Sequence, residues 1–285
     1  MARKDFKLIY ENGKGQSIEF SIWSSFFLED FDGLDGLKNN IYTNKGMLQD
    51  GETFVSSNLD MRNIVIQGTI HDNVQYNKPR MISALNPKLK GKLTVIDGEV
   101  TKYIRCYIEK SPTLSNDNKP KFVLSLICPN PFFYDKEVKT DVALWRGDFE
   151  FPLEILETGI LLGHREPSLI VNVINESDLK CPLKIEFKAL GTLKNPSLFN
   201  VNTREYFKIN KEMKAGEKIV TTTGIGDKKV IEEYNGIVNN AFNYMDINST
   251  FLQLDTGDNL FRYDAEKNVD NLEVSIYYYP QYLGV

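Results

Sequence analysis

Apolar side chains recur at every second residue through most of this chain, and this spacing places them on one face of a β-strand. The clearest alternating sets are Ile64, Ile66 and Ile70; Leu169, Val171 and Val173; Ile185, Phe187 and Ala189; and Val274, Ile276 and Tyr278. Further strands are predicted at Lys7–Tyr10, Ser17–Trp23, Leu93–Ile96, Lys102–Ile108 and Lys121–Cys128. These segments are rich in the β-branched and aromatic residues that strands favour. The chain is therefore predicted to be mainly β.

One segment departs from this pattern. Between Asn77 and Leu89 the apolar residues fall at helical spacing, and they are Met81, Ile82, Leu85 and Leu89. Asn77 or Lys78 can cap the helix, Pro79 suits its first turn, and Asn86-Pro87 limits its C-terminal end. We predict one short amphipathic helix that lies across a sheet, with its basic residues on the solvated face.

The length of the chain, 285 residues, is compatible with two domains of about 100–200 residues each. Cys128-Pro129-Asn130-Pro131 ends the first strand-rich block, because prolines donate no ladder hydrogen bond. We place the junction at Asn130–Asp135, which divides the chain into domains 1–135 and 136–285.

Charge and cysteine content exclude several classes of protein. The 34 Lys and Arg against 39 Asp and Glu leave a net charge of −5, whereas a DNA-coating protein needs an excess of cations. The apolar run after Arg3, Lys4 and Lys7 is too short for a signal peptide or a membrane span. The three cysteines are widely spaced, which predicts neither a disulfide framework nor a zinc site and fits a reducing compartment during synthesis. Neither a membrane nor a specific nucleic-acid sequence is expected as a partner.

No metal or cofactor site is predicted. The only histidines, His71 and His164, are far apart, and neither has a second ligand at metal-binding spacing. The segment Glu29–Gly36 resembles a calcium loop, but Leu34 stands at a ligand position and Ile41 stands where the bidentate Glu belongs. We interpret this segment as an acidic turn that contains glycine.

Two further motifs resemble catalytic loops. Thr223–Lys229 contains two glycines and two lysines but lacks the spacing of a phosphate-binding loop. Leu252–Gly257 ends in Asp-Thr-Gly, the triplet of aspartic proteases, but that chemistry needs two carboxylates and the chain has one such triplet. Both motifs are interpreted as turns between strands. No catalytic residue is predicted, and the protein is expected not to be an enzyme.

The abundance of strands and aromatic residues leaves a rival function open. The chain has 14 Tyr and 17 Phe, and a β-sandwich can bind sugars by stacking them on tyrosine rings. The alternative function is therefore a carbohydrate-binding module that recognises the bacterial cell surface.

Several segments, taken in order, resemble the distal tail protein family of tailed bacteriophages, which is also called Dit or siphovirus tail component. The segments are Phe54–Gly68, Pro79–Lys88 with Gly91–Thr94, Asn130–Asp135, Gly236-Ile237 with Ser249–Asn259, and Tyr277–Val285. The resemblance covers both halves of the chain. It implies an N-terminal belt domain, a β-sandwich with one short helix and an extended hairpin, followed by a C-terminal galectin-like β-sandwich.

The resemblance also implies an assembly function. Six belt domains would form a homohexameric ring between the tail tube protein and a tail-associated lysin or tip protein, and the C-terminal domains would anchor receptor-binding or baseplate proteins. The protein would reside at the distal end of the virion tail after assembly in the bacterial cytoplasm. The Gly-rich, poorly periodic segment Ser24–Phe54 is the candidate for the extended hairpin.

Overall fold

The computed structural model describes residues 5–143, 145–147, 163–165 and 170–285. The chain divides into two compact units, of which the first comprises Met1–Asp135 with Gln281–Val285 and the second Lys136–Pro280. Residues 281–285 were predicted to lie in the second domain. They belong to the first unit because they pair with one of its strands.

The first unit is built from short, mostly antiparallel strands and one helix. Its elements before the chain leaves the unit are β1 (Phe6–Asn12), β2 (Ser17–Ser21), β3 (Phe26–Asp32), β4 (Asn39–Asn44), β5 (Thr53–Leu59), β6 (Arg62–Ile70), α1 (Val74–Ala84), β7 (Lys90–Asp97), β8 (Val100–Ile108), β9 (Thr113–Leu114), β10 (Lys121–Cys128) and β11 (Phe133–Tyr134).

The main sheet of this unit closes on itself. Its strand order includes β8-β7-β1-β2-β3-β6-β10, and β10 pairs back with β8 through Leu126↔Ile108 and Ile127↔Tyr107. The alternating residues of β6 face the enclosed core, where Ile64, Ile66 and Ile70 are fully buried as predicted. The two layers expected of a β-sandwich are thus parts of one closed sheet.

The helix begins earlier and ends earlier than predicted. The N–H groups of Tyr76 and Asn77 both donate to the carbonyl of Asn73, so the helix starts at Val74 and Pro79 lies inside it instead of in its first turn. The buried helical residues are Asn77, Met81 and Ala84. Ile82, which the sequence analysis placed on the apolar face, is 47% exposed. The missing N–H of Pro79 would have bonded the carbonyl of an exposed turn, where water can replace it.

Strands β4 and β5 form a separate two-stranded sheet. We call Asn39–Leu59 the arm. It differs from the predicted segment Ser24–Phe54 at both ends, because Phe26–Asp32 is strand β3 of the closed sheet and the second arm strand continues to Leu59.

The second unit contains two larger sheets around a common core. Its strands are β12 (Val138–Ala143), β13 (Trp145–Gly147), β14 (Gly163–Arg165), β15 (Ile170–Asn175), β16 (Cys181–Ala189), β17 (Leu193–Asn200), β18 (Tyr206–Lys208), β19 (Glu212–Met213), β20 (Lys218–Gly224), β21 (Asp227–Tyr234), β22 (Ile237–Asn240), β23 (Gln253–Leu254), β24 (Gly257–Lys267) and β25 (Leu272–Tyr278). Short 3₁₀ helices lie at Phe242–Tyr244 and Val269–Asn271.

One sheet has the order β12-β25-β16-β20-β21-β22 and the other β15-β24-β17-β18. Two predicted alternating sets, on β16 and β25, supply buried core residues: Ile185, Phe187 and Ala189, and Val274, Ile276 and Tyr278. On β15 the buried positions are Val173 and Asn175, whereas Leu169 lies outside the described residues. The mainly β class is confirmed, and the described residues contain one α-helix.

After β25 the chain returns to the first unit. Strand β26 (Gln281–Tyr282) pairs with β11 through Phe133↔Tyr282 and Tyr134↔Gln281. The strand by which the chain leaves the first unit and the strand by which it re-enters are therefore hydrogen-bonded neighbours.

Candidate functional site: an exposed arm and its buried root

The described residues contain no group of three or more His, Cys, Asp or Glu side chains that could hold a metal ion. His71 packs its ring edge-on against Phe27, with 4.7 Å between the ring centroids, and the side chain of His164 lies outside the described residues. Within the described part of the chain, no helix is long and apolar enough to cross a membrane.

The three cysteines are buried, and among the described residues none of them forms a disulfide bond. Cys106 and Cys128 lie on neighbouring strands of the first unit, and a hydrogen bond with the Cys128 thiol, followed by burial, raises the pKa of the Cys106 thiol. The raised pKa keeps the Cys106 thiol protonated, the form that packs in an apolar core.

The two motifs that resemble catalytic loops lie at turns. Gly224 to Asp227 joins β20 to β21, so the glycine-rich segment is a hairpin. In the Asp-Thr-Gly segment, the side-chain amide of Asn259 donates to the carbonyls of Asp255 and Gly257, and its oxygen accepts from the Asp255 N–H. The Asp255 carboxylate forms an ion pair with Lys180 at 3.0 Å. It is a turn residue that pairs with a lysine.

The acidic segment Glu29–Gly36 is only partly a turn. Glu29, Asp30 and Asp32 lie on β3, and the turn begins at Gly33. Gly33 has φ of +86°, and a Cβ there would stand 2.0 Å from the backbone oxygen of Asn63. No larger residue fits at this close approach of two backbones.

The arm exposes apolar side chains that its own chain does not cover. Met47 and Leu48, at its tip, are fully exposed. Four further apolar residues of the arm are more than half exposed, namely Ile41, Tyr42, Phe54 and Val55. An isolated two-stranded hairpin is marginally stable in water, and a concentrated exposed apolar surface marks an interaction site. The arm has the character of a segment that a neighbouring molecule covers.

Polar contacts fix the shape of the tip. The Gly46 N–H donates to Gln49 Oε1 at 3.2 Å, and Gln49 Nε2 donates to Thr53 Oγ1 at 2.9 Å. Thr43 Oγ1 is hydrogen-bonded to the carboxylate of Glu52 across the two strands. These bonds hold Met47 and Leu48 at the turn without burying either side chain.

The root of the arm, in contrast, is anchored by a buried arginine. Arg62, which is 4% exposed, donates from Nε to the Pro131 carbonyl at 2.8 Å and from Nη1 to the carbonyls of Gly33 at 2.7 Å and Asp35 at 3.3 Å. Its Nη2 donates to the carbonyl of Leu283. One guanidinium thus joins the segment before the arm, the segment around Pro131 where the chain leaves the first unit, and the returning C-terminal segment.

The charge of Arg62 is stabilised by carbonyl dipoles and by an aromatic ring. Its guanidinium carbon lies 4.9 Å from the centroid of the Phe133 ring, a cation–π distance. Burial lowers the pKa of Arg62, and the negative charge of Asp35 opposes this effect. Arginine stays protonated even so, because its ordinary pKa is far above neutral pH.

A surface ion pair closes the root. Lys38 Nζ lies 3.3 Å from Asp60 Oδ2, and the Asp60 N–H donates to the Lys38 carbonyl at 2.9 Å. The hydrogen bond from Lys38 lowers the pKa of the Asp60 carboxyl. The two ends of the arm are therefore tied directly to each other.

None of these root contacts was predicted from the sequence, although one signal was available. Arg62 stands on the same alternating face as Ile64 and Ile66, so the period-two pattern directs its side chain into the protein. An inward-facing arginine needs acceptors. The carbonyl of Leu283, which is 221 residues away, could not be identified from spacing.

Two family models match the chain. The model described as phage tail protein RIFT-related domain matches residues 13–128, and the model described as siphovirus-type tail component, C-terminal domain, matches residues 176–282. Together they cover most of the chain in the expected order. No curated protein sequence matches it significantly.

Solved structures of phage tail components share the fold. The SPP1 Dit protein, described as a hub of the adsorption apparatus in phages that infect Gram-positive bacteria, is 13% identical, with a TM-score of 0.70 over 97% of this chain and 98% of that one. A chain of the phage P2 baseplate in its activated conformation with Ca is 10% identical, with a TM-score of 0.55 over 98% and 99%. The same baseplate with Sr gives a TM-score of 0.53 at 10% identity over the full length of both chains. With both of its halves matched by family models, the chain belongs to the siphovirus distal tail (Dit) family of phage tail components.

Proposed function

We propose that this protein forms a homohexameric ring at the distal end of a phage or phage-like tail, and that the arm of each copy packs on its neighbour. The observation that carries the proposal is the exposed arm. Met47 and Leu48 are fully exposed at its tip, while Arg62 fixes its root to the first unit. A rigidly rooted, apolar hairpin is suited to bind a second copy.

Ring closure sets the type of contact. A cyclic assembly requires a heterologous interface, in which one surface of each copy meets a different surface of the next. The arm would be the projecting half of that interface, and the residues 1–135 would form the belt. The apolar face of the arm would leave water on assembly, which stabilises the contact by roughly 25 cal/mol per Å² of buried apolar area.

The remaining partners follow from family membership. The ring would join the tail tube protein on one side to a tail-associated lysin or tip protein on the other, and the second unit would anchor receptor-binding or baseplate proteins. The protein would act without catalysis and without a cofactor, and it would assemble in the host cytoplasm before it becomes part of the virion.

Carbohydrate binding through tyrosine stacking receives less support. On the outer face of the sheet that contains β25, Tyr277 lies between two lysines. Lys184 Nζ is 4.3 Å from the centroid of its ring, and Lys139 Nζ is 5.8 Å away. A sugar would have to displace at least one cation before it could stack on this ring.

The ring is tested by native mass spectrometry and negative-stain imaging of the full chain. We expect a hexamer for the wild type and a monomer when Met47→Ser and Leu48→Ser are combined. A matched control combines Ile225→Ser with Ile247→Ser, since these two isoleucines are as exposed as the arm tip but lie in the second unit. A wild type that stays monomeric at high concentration contradicts the ring, and rings that survive the arm-tip substitutions contradict the role of the arm.

A further inference from the structure

Within the part of the chain that the structure describes, one strand position in the closed sheet of the first unit is not filled. Strand β2 runs parallel to β3 but ends at Ser21, which is opposite Phe27. Strand β3 continues to Asp32 and pairs on its other side with β6, with a shift of register between Leu28 and Asp30. Among the described residues, no strand pairs with the free side of β3 from Leu28 to Asp32. The position that a longer β2 would occupy is open.

A cavity of about 580 Å³ lies at this vacancy. Its lining includes Phe6, Leu28, Phe31 and Leu34, and the Phe6 and Phe31 rings are stacked with their centroids 4.6 Å apart. Its size falls in the range of about 300–1,000 Å³ that is typical of binding sites. The cavity therefore combines an apolar floor with an open strand edge, which are the two features that an added strand needs.

Exposed carboxylates surround the opening. Asp30, Asp32 and Asp35 line the cavity and are exposed, and no ion pair involves any of them within the part of the chain that the structure describes. Glu29, in contrast, is 3.8 Å from Lys121 Nζ and is also hydrogen-bonded to Thr69. The field at the opening is negative, which favours an occupant with cationic side chains.

We propose that the free edge of β3 binds an extended basic segment of a different tail protein, which adds as a strand in the position that β2 leaves open. This inference rests on the proposed assembly function. Five residues of β3 span about 17 Å at roughly 3.3 Å per residue. Alternate side chains of the bound segment would then reach the apolar floor and the carboxylates of Asp30 and Asp32.

The arm of a second copy does not have the required chemistry. Between Asn39 and Leu59 the arm has a single lysine, Lys45, together with Asp50 and Glu52. Its net charge is negative, like that of the opening. The occupant is therefore a basic segment of another protein, and the arm docks elsewhere.

The probe is a nine-residue capped peptide in which Lys and Val alternate, titrated into the full-length protein and followed by calorimetry and by hydrogen exchange. We expect saturable binding with slower amide exchange in Leu28–Asp32, and weaker binding at 0.5 M salt because the attraction is screened. The combined Asp30→Asn and Asp32→Asn variant should bind about tenfold more weakly, because each lost carboxylate removes a charge contact. Asparagine at position 32 retains the oxygen that accepts from the Gly33 N–H at 2.8 Å.

The controls separate specific binding from general attraction to an acidic protein. Glu176→Gln with Glu212→Gln removes the same charge from exposed sites of the second unit and should leave the affinity unchanged. A peptide in which Glu replaces Lys should not bind. The proposal is overturned if the Lys and Glu peptides bind equally well, or if both double variants lose the same affinity. It is also overturned if the peptide slows amide exchange elsewhere but not in β3. The oligomeric state is recorded in the same samples, so failure of the ring and failure of this edge are distinguished.

Discussion

Each unit contains a largely buried cation, and the two cations are stabilised in different ways. In the first unit, Arg62 donates to backbone carbonyls of four residues and stacks on an aromatic ring. In the second unit, Lys211 forms ion pairs with Glu217 and with Glu232, the latter at 2.7 Å, and lies 5.1 Å from the Tyr244 ring centroid.

The difference follows from the shape of the two cations. A guanidinium presents donors in several fixed directions and can join separate backbone segments without a counter-ion, whereas an ammonium is a compact charge that needs carboxylates. Arg62 therefore connects segments that are distant in sequence. Lys211 instead compensates the charge of Glu217, whose side chain is only 4% exposed.

The largest effect is expected from Arg62→Met. It leaves several carbonyls without donors, and the free energy of unfolding of the first unit should fall by about 3–5 kcal/mol. Arg62→Lys should recover only part of the loss, because an ammonium cannot reach all the carbonyls. Calorimetry of the full chain, with hydrogen exchange to assign the transition to a unit, measures this. Arg262→Met, at an exposed site, is the control. Equal losses of stability in the two methionine variants would contradict the conclusion that Arg62 holds the separate backbone segments together.

A smaller loss is expected from Lys211→Met, about 2–4 kcal/mol in the second unit, because the buried carboxylate of Glu217 loses its partner. The combination with Glu217→Gln should restore part of it. Lys188→Met breaks a surface pair with Glu273 and should cost less than about 1 kcal/mol. If adding Glu217→Gln deepens the loss, charge compensation is not the function of Lys211.

Alkaline pH distinguishes the cations from a third buried group. Burial raises the pKa of Tyr10 to about 12, and its hydroxyl has no hydrogen-bond partner among the described residues. The pKa of Tyr10 is raised in the folded state, so its ionisation disfavours folding. The free energy of unfolding of the first unit is therefore unaffected by this group below pH 10 and falls progressively towards pH 12. Burial acts to lower the pKa of Lys211, but the hydrogen bonds and charges of Glu217 and Glu232 raise it above the ordinary lysine value. Lys211 therefore continues to stabilise the second unit at a pH above the ordinary pKa of lysine.

Tyr10→Phe should therefore stabilise the first unit by about 1 kcal/mol at pH 7, since it removes an unsatisfied hydroxyl. It should also reduce the loss of that unit's stability between pH 10 and 12, while leaving the second unit unchanged. Thermal unfolding across this pH range is the measurement, with Tyr76→Phe, an exposed site, as the control. If Tyr10→Phe loses as much stability between pH 10 and 12 as the wild type, the alkaline loss is caused by groups other than Tyr10.

Local patterns predicted the parts of this fold that depend on local physics. The alternation of Ile64, Ile66 and Ile70 identified a core-facing strand, and the glycines at Gly224 and Gly257 identified turns. The predicted helix start was wrong because the left-handed Asn73, with φ of 39°, accepts the first helical hydrogen bonds and lies six residues before Pro79. A rule based on proline position cannot anticipate this.

The site depends on contacts that are distant in the chain, and these left little trace in the sequence. The arm was expected from family resemblance, but its boundaries were displaced because β3 has enough apolar residues to join the closed sheet. The vacancy beside β3 arises from the early end of β2 at Ser21, a difference in strand length that no single segment reveals.

The pairing of β11 with β26 makes the second unit an insertion within the first. During synthesis, the carbonyl of Leu283 becomes available to Arg62 only after residues 1–280 have left the ribosome. Domains generally fold as they emerge, from the N-terminus onward, but here the first unit to emerge is the last to be completed. The root of the arm thus acquires its final hydrogen bond when the second unit is already present, so a partly synthesised chain cannot present a fully anchored arm to its neighbours.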